Sequence, residues 1–229
     1  MECKYCKKYC VKAGLQHSGV QKFYCKACKK YQQAVYKSEA YHPQTNSRIV
    51  ILLKEGIGLR SMARVLRISL KTIIQRIRKI AAAICKPFQQ LTNRVYEIDE
   101  MWTYIGRKAN EVWILYILDR KTRTVIDFRV GSRSKKNIRS LTDQLLNAKP
   151  KAICTDGLTL YKTLVPGNIH RVTPMSTRHI ERHNLNLRMH LKRLSRKTIC
   201  FSKSVEMLQA CLRIYFWGKR GHGGMIGSI

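Results

Sequence analysis

The feature that most constrains the fold of this chain is a succession of three strand-like segments: VYEIDEMWTYIG, EVWILYILDR and RTVIDFRVG. Each segment is rich in β-branched and aromatic residues, which favour extended backbone. Gly106 and a charged turn over residues 120–122 separate the segments, and short connections of this kind join antiparallel neighbours. The three segments therefore predict an antiparallel meander.

The residues that follow alternate between helix and strand patterns. Apolar residues at helical spacing predict a helix over 135–146, and KAICTD predicts a short strand. A short helix and the strand IHRVT come next, before a long helix from about Ser176. The order β-β-β-α-β-α-β-α is that of the ribonuclease H-like fold. We therefore predict an α/β domain of this type over 95–200, with a mixed sheet flanked by helices.

Three carboxylates take defined places in that order. Asp99 lies in the first strand, Asp156 ends the fourth, and Glu181 lies near the start of the last helix. In a ribonuclease H-like layout these three elements converge at one end of the sheet. Carboxylates that share a site can hold two Mg2+ or Mn2+ ions about 4 Å apart, which activate a nucleophile and stabilise the leaving oxygen of a phosphodiester. The three acids are our candidate catalytic and magnesium-binding residues.

Each acid also has a purely structural interpretation. Glu97 and Glu100 are close rivals of Asp99, and Glu97 shares a strand face with it. Asp156 could serve only in a turn, and Glu181 could simply complement the dipole of its helix. The assignment therefore depends on the set of three acids.

Two basic residues accompany Glu181 on the predicted last helix. Arg188 and Lys192 fall beside it at helical spacing, next to an apolar stripe. The stripe consists of Ile180, Leu187, Leu191 and Leu194. We predict that Arg188 and Lys192 bind a DNA phosphate beside the metal site, the alternative being solvated surface charges.

The start of the chain carries two Cys-x-x-Cys pairs that are separated by 18 residues. The spacing fits a four-thiolate Zn2+ site, which folds a segment otherwise too short to be stable. We predict a zinc ribbon over 1–40 whose ligands are Cys3, Cys6, Cys25 and Cys28. Unpaired small hydrophobic cysteines are the alternative, and the crowding of cysteines here favours metal binding in a reducing compartment over disulfides.

A helical pattern over 44–83 predicts a helix-turn-helix. Glycines at 56 and 58 interrupt it, Ser69 can cap the last helix, and Arg67 stands in the turn where such motifs often have Gly. The residues predicted to contact DNA are Lys71, Thr72, Gln75, Arg76 and Arg78. A three-helix packing unit with a basic exterior is the alternative. Residues 84–94 are predicted to be a linker, and 201–229 a C-terminal helix followed by a Gly-rich tail.

The charge of the chain indicates a polyanionic partner. Its 229 residues include 45 Lys and Arg against 13 Asp and Glu, a formal net charge of +32. Affinity for nucleic acid comes largely from counterion release, so DNA or RNA is the natural partner. An anionic membrane surface is the alternative, but no apolar run is long enough to span a bilayer and the start does not resemble a secretory signal. We therefore expect a soluble, intracellular protein.

Together these motifs resemble the insertion sequence 1 family of transposases. The segments ERHNLNLR at 181–188 and KRLSRKT at 192–198 resemble its terminal catalytic block, and DEMW at 99–102 and TDG at 155–157 resemble the two preceding blocks. The ribbon and the helix-turn-helix match its N-terminal half. The resemblance implies a DDE transposase of the retroviral integrase superfamily. It places the triad on Asp99, Asp156 and Glu181 and the zinc ligands on Cys3, Cys6, Cys25 and Cys28.

The resemblance also implies partners and a location. We expect the protein to bind double-stranded DNA, both the terminal inverted repeats of a mobile element and the target, as a homodimer or larger assembly. We expect it in a prokaryotic cytoplasm, associated with the nucleoid. Two other functions stay open: a zinc-ribbon and helix-turn-helix regulator without catalysis, and a structure-selective nuclease or resolvase with the same fold.

Overall fold

The computed structural model describes residues 1–86, 92–173 and 175–219. The middle of the predicted linker and nearly all of the predicted Gly-rich tail therefore lie outside the described residues. The chain divides into two units, one over residues 1–45 and one from residue 46 onward. Within the described ranges, no helix is both long and apolar enough to cross a membrane.

The first unit is a small antiparallel sheet built around cysteines. Its strands, in spatial order, are β1 (Val11–Leu15), β2 (Gln21–Cys25) and β3 (Lys30–Gln33). The buried core consists of Cys3, Cys10 and Cys25, with Cys6, Phe23 and Cys28 packed against it. A core of this size buries little apolar surface, so the unit needs a further source of stability.

Three helices open the second unit, with bounds close to those that the sequence predicts. They are α1 (Thr45–Lys54), α2 (Leu59–Val65) and α3 (Leu70–Ala83). Ser69 caps α3 as predicted, because its side-chain oxygen accepts the backbone N–H of Thr72 at 3.1 Å. The apolar face of α3, which includes Ile73 and Ile77, is buried.

The turn between α2 and α3 has a left-handed backbone at Arg67, where φ is 51°. The N–H of Ile68 reaches back to the carbonyl of Ala63 at 3.1 Å, which closes the end of α2 in the manner of a Schellman motif. Glycine is the usual residue at this position because it has no Cβ to clash. The sequence therefore marks the correct residue as the unusual one in the turn.

The second unit also holds a five-stranded mixed sheet with the spatial order β6-β5-β4-β7-β8. The strands are β4 (Val95–Ile105), β5 (Arg107–Asp119), β6 (Val125–Gly131), β7 (Ala152–Cys154) and β8 (His170–Arg171). The helices are α4 (Lys135–Asn147), α5 (Thr159–Lys162), α6 (Arg178–His190) and α7 (Val205–Trp217). β4, β5 and β6 form an antiparallel meander, whereas β7 and β8 run parallel to β4. This arrangement confirms the predicted ribonuclease H-like fold.

Strand alternation gives the sheet two different faces. One face supplies the main core, in which Tyr96, Ile98 and Ile117 pack with residues of α4 and α5. The opposite face turns Glu97 and Tyr116 toward α6. The last helix, α7, packs against both α3 and β6.

The helix that carries Glu181 ends earlier than the sequence predicts. α6 stops at His190, because Leu191 has extended backbone angles, and a 3-10 turn over Lys192–Leu194 follows. Leu191 and Leu194 are buried, as the apolar stripe predicts. The prediction that Lys192 shares a helix face with Glu181 is wrong, because Lys192 lies in the 3-10 turn and not in α6. The turn buries both leucines, so the apolar spacing in the sequence looks like a continued helix.

We expect Arg67→Gly to raise the free energy of unfolding by about 0.5 kcal/mol. The left-handed backbone costs a residue with a Cβ about 1 kcal/mol, and the greater freedom of glycine in the unfolded chain offsets part of that gain. Urea denaturation measures the change. Arg64→Gly, at an exposed position inside α2, is the control and should cost about 1 kcal/mol. Equal losses in both variants would contradict the assigned backbone strain.

Candidate active site and thiol cluster

Three carboxylates meet where the parallel part of the sheet ends. Oxygens of Asp99, Glu100 and Asp156 all lie within 4.8 Å of one another, and we call these residues the carboxylate cluster. The pairing of β4 with β7 ends at Glu97 and Cys154. Asp99 and Glu100 therefore lie just past the end of β7, and Asp156 follows β7 by two residues. The sequence-predicted pair Asp99 and Asp156 is thus brought together.

Among the residues that the structure describes, Asp99 has hydrogen-bond donors but no cation beside it. Its Oδ1 accepts the backbone N–H of Glu100 at 2.8 Å, and its Oδ2 accepts from Asn184 Nδ2 at 2.7 Å. Burial, together with the charges of Glu100 and Asp156, raises the pKa of Asp99 to about 7. A bound cation would favour the charged form, so this carboxylate is suited to a metal.

Arg133 is the cation of the carboxylate cluster. Its guanidinium pairs with Glu100 Oε2 at 3.0 Å and lies 3.7 Å from Asp156 Oδ2. Glu100 also accepts a short hydrogen bond from the Tyr161 hydroxyl, and burial raises the pKa of this carboxyl. Asp156 Oδ1 accepts the backbone N–H of Leu158 at 3.0 Å. The cluster is therefore held by Arg133 from the loop between β6 and α4, by Tyr161 of α5 and by the backbone just before α5.

Glu97 has a different role from Asp99. Its buried carboxylate accepts the backbone N–H groups of His179 at 3.1 Å and Ile180 at 2.8 Å, in the first turn of α6. It also pairs with Arg120 Nε at 3.2 Å and with the ring of His179 at 2.6 Å. A carboxylate at a helix N-terminus satisfies orphan N–H groups and complements the helix dipole. Glu97 anchors α6 and is not part of the carboxylate cluster.

Glu181 is not one of the three carboxylates of the cluster and lies one helical turn before Asn184 on α6. Its side chain is exposed, and Oε1 accepts from Thr177 Oγ1 at 2.7 Å. Asn184, three residues further along α6, is the residue that contacts Asp99. Residues three apart lie on the same side of a helix, so α6 turns Glu181 and Asn184 in similar directions.

Two residues that support Asp99 went unpredicted. Asn184 holds Asp99 directly, and the Tyr116 hydroxyl lies 2.7 Å from Asn184 Oδ1. Asn184 lies one helical turn after Glu181, in the segment that resembles the terminal catalytic block of the family. This spacing is a signal that could identify Asn184 as a residue of the site. Arg133 and Tyr161 reach the cluster through tertiary packing, for which the sequence gives no local signal.

The two predicted phosphate-binding residues differ in environment. Arg188 is half-buried and donates to the Leu194 carbonyl at 3.3 Å, and burial lowers the pKa of its guanidinium. Its own carbonyl accepts from the Ser195 hydroxyl at 2.9 Å. Arg188 thus closes the turn after α6, whereas Lys192 is exposed. Phosphate binding by either residue stays a prediction.

The five predicted DNA contacts on α3 fall into two groups. Lys71, Gln75 and Arg78 are exposed. Thr72 is half-buried with its hydroxyl 2.8 Å from that of Ser69, and Arg76 donates to Asn46 Oδ1 at 2.8 Å. The first group forms an outward surface of the helix, and the second also holds α3 in place.

The four predicted zinc ligands lie together in the first unit. Their Sγ atoms are all within 4.8 Å of one another, and Cys3–Cys28 and Cys6–Cys25 are 3.5 Å apart. Zn–S bonds of about 2.3 Å in a tetrahedron give S–S distances of about 3.8 Å, which this arrangement approaches. Burial and the neighbouring thiols raise the pKa of Cys28 to about 12, so ionisation of all four thiols calls for a cation. The chemistry of the donor set fits a metal ion.

Comparisons with known proteins match the part of the chain that forms the mixed sheet and its helices. A family model described as IS1 transposase matches residues 93–220, which span β4 to α7. The insertion element IS1 protein InsB of Shigella flexneri is 42% identical over 111 residues, which cover 48% of this chain and 85% of that relative. The insertion element IS1 2 protein InsB of Escherichia coli (strain K12) is 42% identical over 110 residues, covering 48% of this chain and 66% of the relative.

A solved structure gives a much weaker likeness. A chain of the simian T-cell lymphotropic virus intasome in complex with PP2A regulatory subunit B56 gamma is 13% identical, with a TM-score of 0.33. The alignment covers 60% of this chain and 57% of that one. A likeness of this size adds nothing to the fold assignment, which depends on strand order and direction.

We expect Glu97→Gln to lower the free energy of unfolding by about 2 kcal/mol. The neutral amide cannot accept from both backbone N–H groups and also compensate Arg120. Urea denaturation measures the loss, and hydrogen exchange at His179 and Ile180 should accelerate. Glu111→Gln, at an exposed position on β5, is the control and should change stability by less than about 0.5 kcal/mol. An unchanged stability together with lost metal binding would make Glu97 the ligand in place of Asp99.

Proposed function

The chain belongs to the IS1 transposase family, and on that premise we propose that it binds the terminal inverted repeats of an insertion element and catalyses metal-dependent DNA strand cleavage and strand transfer. The observation that carries this proposal is the carboxylate cluster at the end of a ribonuclease H-like sheet, within a chain of net charge +32. Acids grouped in so cationic a protein suit metal ions that act on a phosphate backbone.

The proposed metal is Mg2+ or Mn2+, held by Asp99, Asp156 and Glu181. Oxygen ligands suit both ions. The raised pKa of Asp99 is expected of a carboxylate whose charged form needs a bound cation for its stabilisation. When bound, such ions activate water and stabilise the leaving oxygen. Glu181 is assigned by family resemblance and by its position one turn before Asn184. Glu100 is the alternative third ligand, because its carboxylate already lies in the cluster.

The protein's own residues position these ligands. Asn184 orients Asp99 through its amide, and Tyr116 in turn fixes the amide. Tyr161 and Arg133 hold Glu100, which limits the movement of the neighbouring Asp99 along β4. The DNA phosphate would approach the open end beyond β7, and the 3′-hydroxyl freed by hydrolysis would then attack a target phosphate at the same carboxylates. Both steps are in-line displacements at phosphorus, so one site can serve for both.

DNA binding is proposed to use both units. The exposed side chains of Lys71, Gln75 and Arg78 on α3 are available to the major groove, and the lysines and tyrosines of the ribbon can contact phosphates. Joining two element ends to one target requires at least two active sites, so we propose a homodimer or larger assembly on DNA. A regulator that binds the element ends without cutting them is the second candidate, because the exposed residues of α3 would be sufficient for DNA binding alone.

We expect Asp156→Asn and Glu181→Gln each to reduce cleavage and joining of labelled element ends with Mg2+ by more than about 100-fold. Loss of a ligand should exceed the effect typical of outer-shell partners. Binding of the ends, measured by gel shift, should be retained. Asp143→Asn, exposed on α4, is the control and should keep full activity. Retained cleavage by Asp156→Asn would refute the triad, and a wild-type protein that binds ends but never cuts would favour the regulator.

We propose that Cys3, Cys6, Cys25 and Cys28 hold one Zn2+ per chain, and we expect Cys25→Ser to unfold residues 1–45 while the second unit keeps its structure. The small cysteine core cannot hold this sheet without the ion. Zinc content by elemental analysis should fall to near zero, and hydrogen exchange should rise only in the first unit. Cys85→Ser, at an exposed position of the second unit, should retain the zinc. A Cys25→Ser protein whose first unit stays protected from exchange would argue against a structural ion.

A further inference from the structure

Beyond Glu100, strand β4 carries aromatic side chains on the same face of the sheet. Alternation along the strand puts Glu100, Trp102 and Tyr104 on one side. Trp113 lies opposite Trp102 in the register of β4 and β5, and so shares this face. Ring centroids are 5.8 Å apart for Trp102 and Tyr104, and 5.6 Å for Tyr104 and Phe201. We call Trp102, Tyr104, Trp113 and Phe201 the aromatic strip.

The aromatic strip is only partly covered by protein. Trp102 is 37% exposed, and the other three side chains are half-buried. The indole N–H of Trp102 donates to Glu111 Oε2 at 3.2 Å, which fixes the ring while leaving it accessible. The exposed part of the Trp102 ring is apolar surface that remains in contact with water. A ligand that covers this surface would gain the free energy of burying it.

Arg133 joins the aromatic strip to the carboxylate cluster. Its guanidinium carbon lies 4.7 Å from the ring centroid of Trp113, while the same group pairs with Glu100 and approaches Asp156. Its Nε is buried and has no hydrogen-bond partner among the residues that the structure describes. A cation with an unused donor therefore lies between the aromatic rings and the acids.

We propose that the aromatic strip is a stacking site for unpaired nucleobases of the DNA end, next to the phosphate that is cut. This inference rests on the proposed function, because it takes the carboxylate cluster as the place of cleavage. Every nucleobase has a face that can stack on an aromatic ring, and such stacking in a positively charged setting contributes about 1–3 kcal/mol per base. The net charge of +32 supplies the positive setting, and Arg133 joins Trp113 to the carboxylate cluster.

The stacking site would assist cleavage at a duplex end. The paired strands of a duplex limit how closely a phosphate can approach the carboxylate cluster at the end of the sheet. Separating the terminal bases removes this limit but costs a few kcal/mol. Stacking on Trp102 and Tyr104 would offset that cost and keep the separated strand beside Glu100 and Arg133, at the edge of the carboxylate cluster. The surface is suited to nucleic acid rather than to a protein partner because it continues into Arg133 in a chain of net charge +32.

The test compares two DNA probes of equal length: a blunt duplex, and a forked duplex with three unpaired nucleotides at one end. Affinities are measured by fluorescence anisotropy without added divalent ions. We expect the wild-type protein to bind the forked probe about tenfold more tightly, or better. Trp102→Ala and Trp102→Leu should abolish the preference, with affinity for the blunt duplex unchanged. Trp102→Phe should preserve most of it, because phenylalanine also stacks.

Tyr41→Ala provides the matched control, since Tyr41 is an exposed aromatic residue outside both the predicted ribbon and the aromatic strip. It should keep the preference for the forked probe. The proposal is overturned if Trp102→Ala and Trp102→Leu, folded by circular dichroism, still prefer the forked probe. It is also overturned if they change only self-association in sedimentation, which would make the strip an interface between copies of the chain.

The binding measurement separates this proposal from the proposed function. A wild-type protein that prefers forked DNA but never cuts element ends would refute the catalytic assignment and leave base stacking in place. If the wild-type protein cuts element ends at the same rate as Trp102→Ala and shows no preference for the forked probe, base stacking on the aromatic strip is refuted and the catalytic assignment is unaffected.

Discussion

The position of α6 depends on one buried carboxylate. Glu97 accepts two backbone N–H groups at the start of this helix, and it also pairs with Arg120 and contacts the ring of His179. Because the helix start is fixed on β4, Asn184 lies about one turn further along α6, within reach of Asp99, also on β4. The strand therefore both supplies a catalytic candidate and locates the helix that orients it.

Scarce acids are used in two ways in this cationic chain. The buried acids away from the cluster are each paired with a basic residue, as Asp119 is with Arg94 and Asp127 with Lys86. Asp99 differs, for it makes no ion pair within the described part of the chain and depends on amide donors alone. A desolvated carboxylate without a cation is unfavourable to folding, which is the usual signature of a group kept for chemistry rather than stability.

The sequence predicts what depends on local pattern. The succession of strands, the cap at Ser69 and the four-thiol cluster follow from residue type and spacing, and the structure contains each of them. The left-handed backbone at Arg67 does not follow from its residue type, although the pattern points to Arg67 as the departure from the usual Gly. The end of α6 was missed, because helical periodicity continues through Leu194 while the backbone leaves the helix at Leu191. The contacts of Glu97, Asn184 and Arg133 also escaped prediction, since each joins elements far apart in sequence and depends on how they pack.

The double packing of α7 has a consequence for how such a protein can diversify. One helix from the end of the sequence completes the interior of both the helical segment and the sheet. A fragment cut between α3 and β4 would leave an apolar surface uncovered on each side. The proposed DNA contacts on α3, such as Gln75, are exposed, so substitutions there leave this shared interior intact, whereas exchange of the whole helical segment would not.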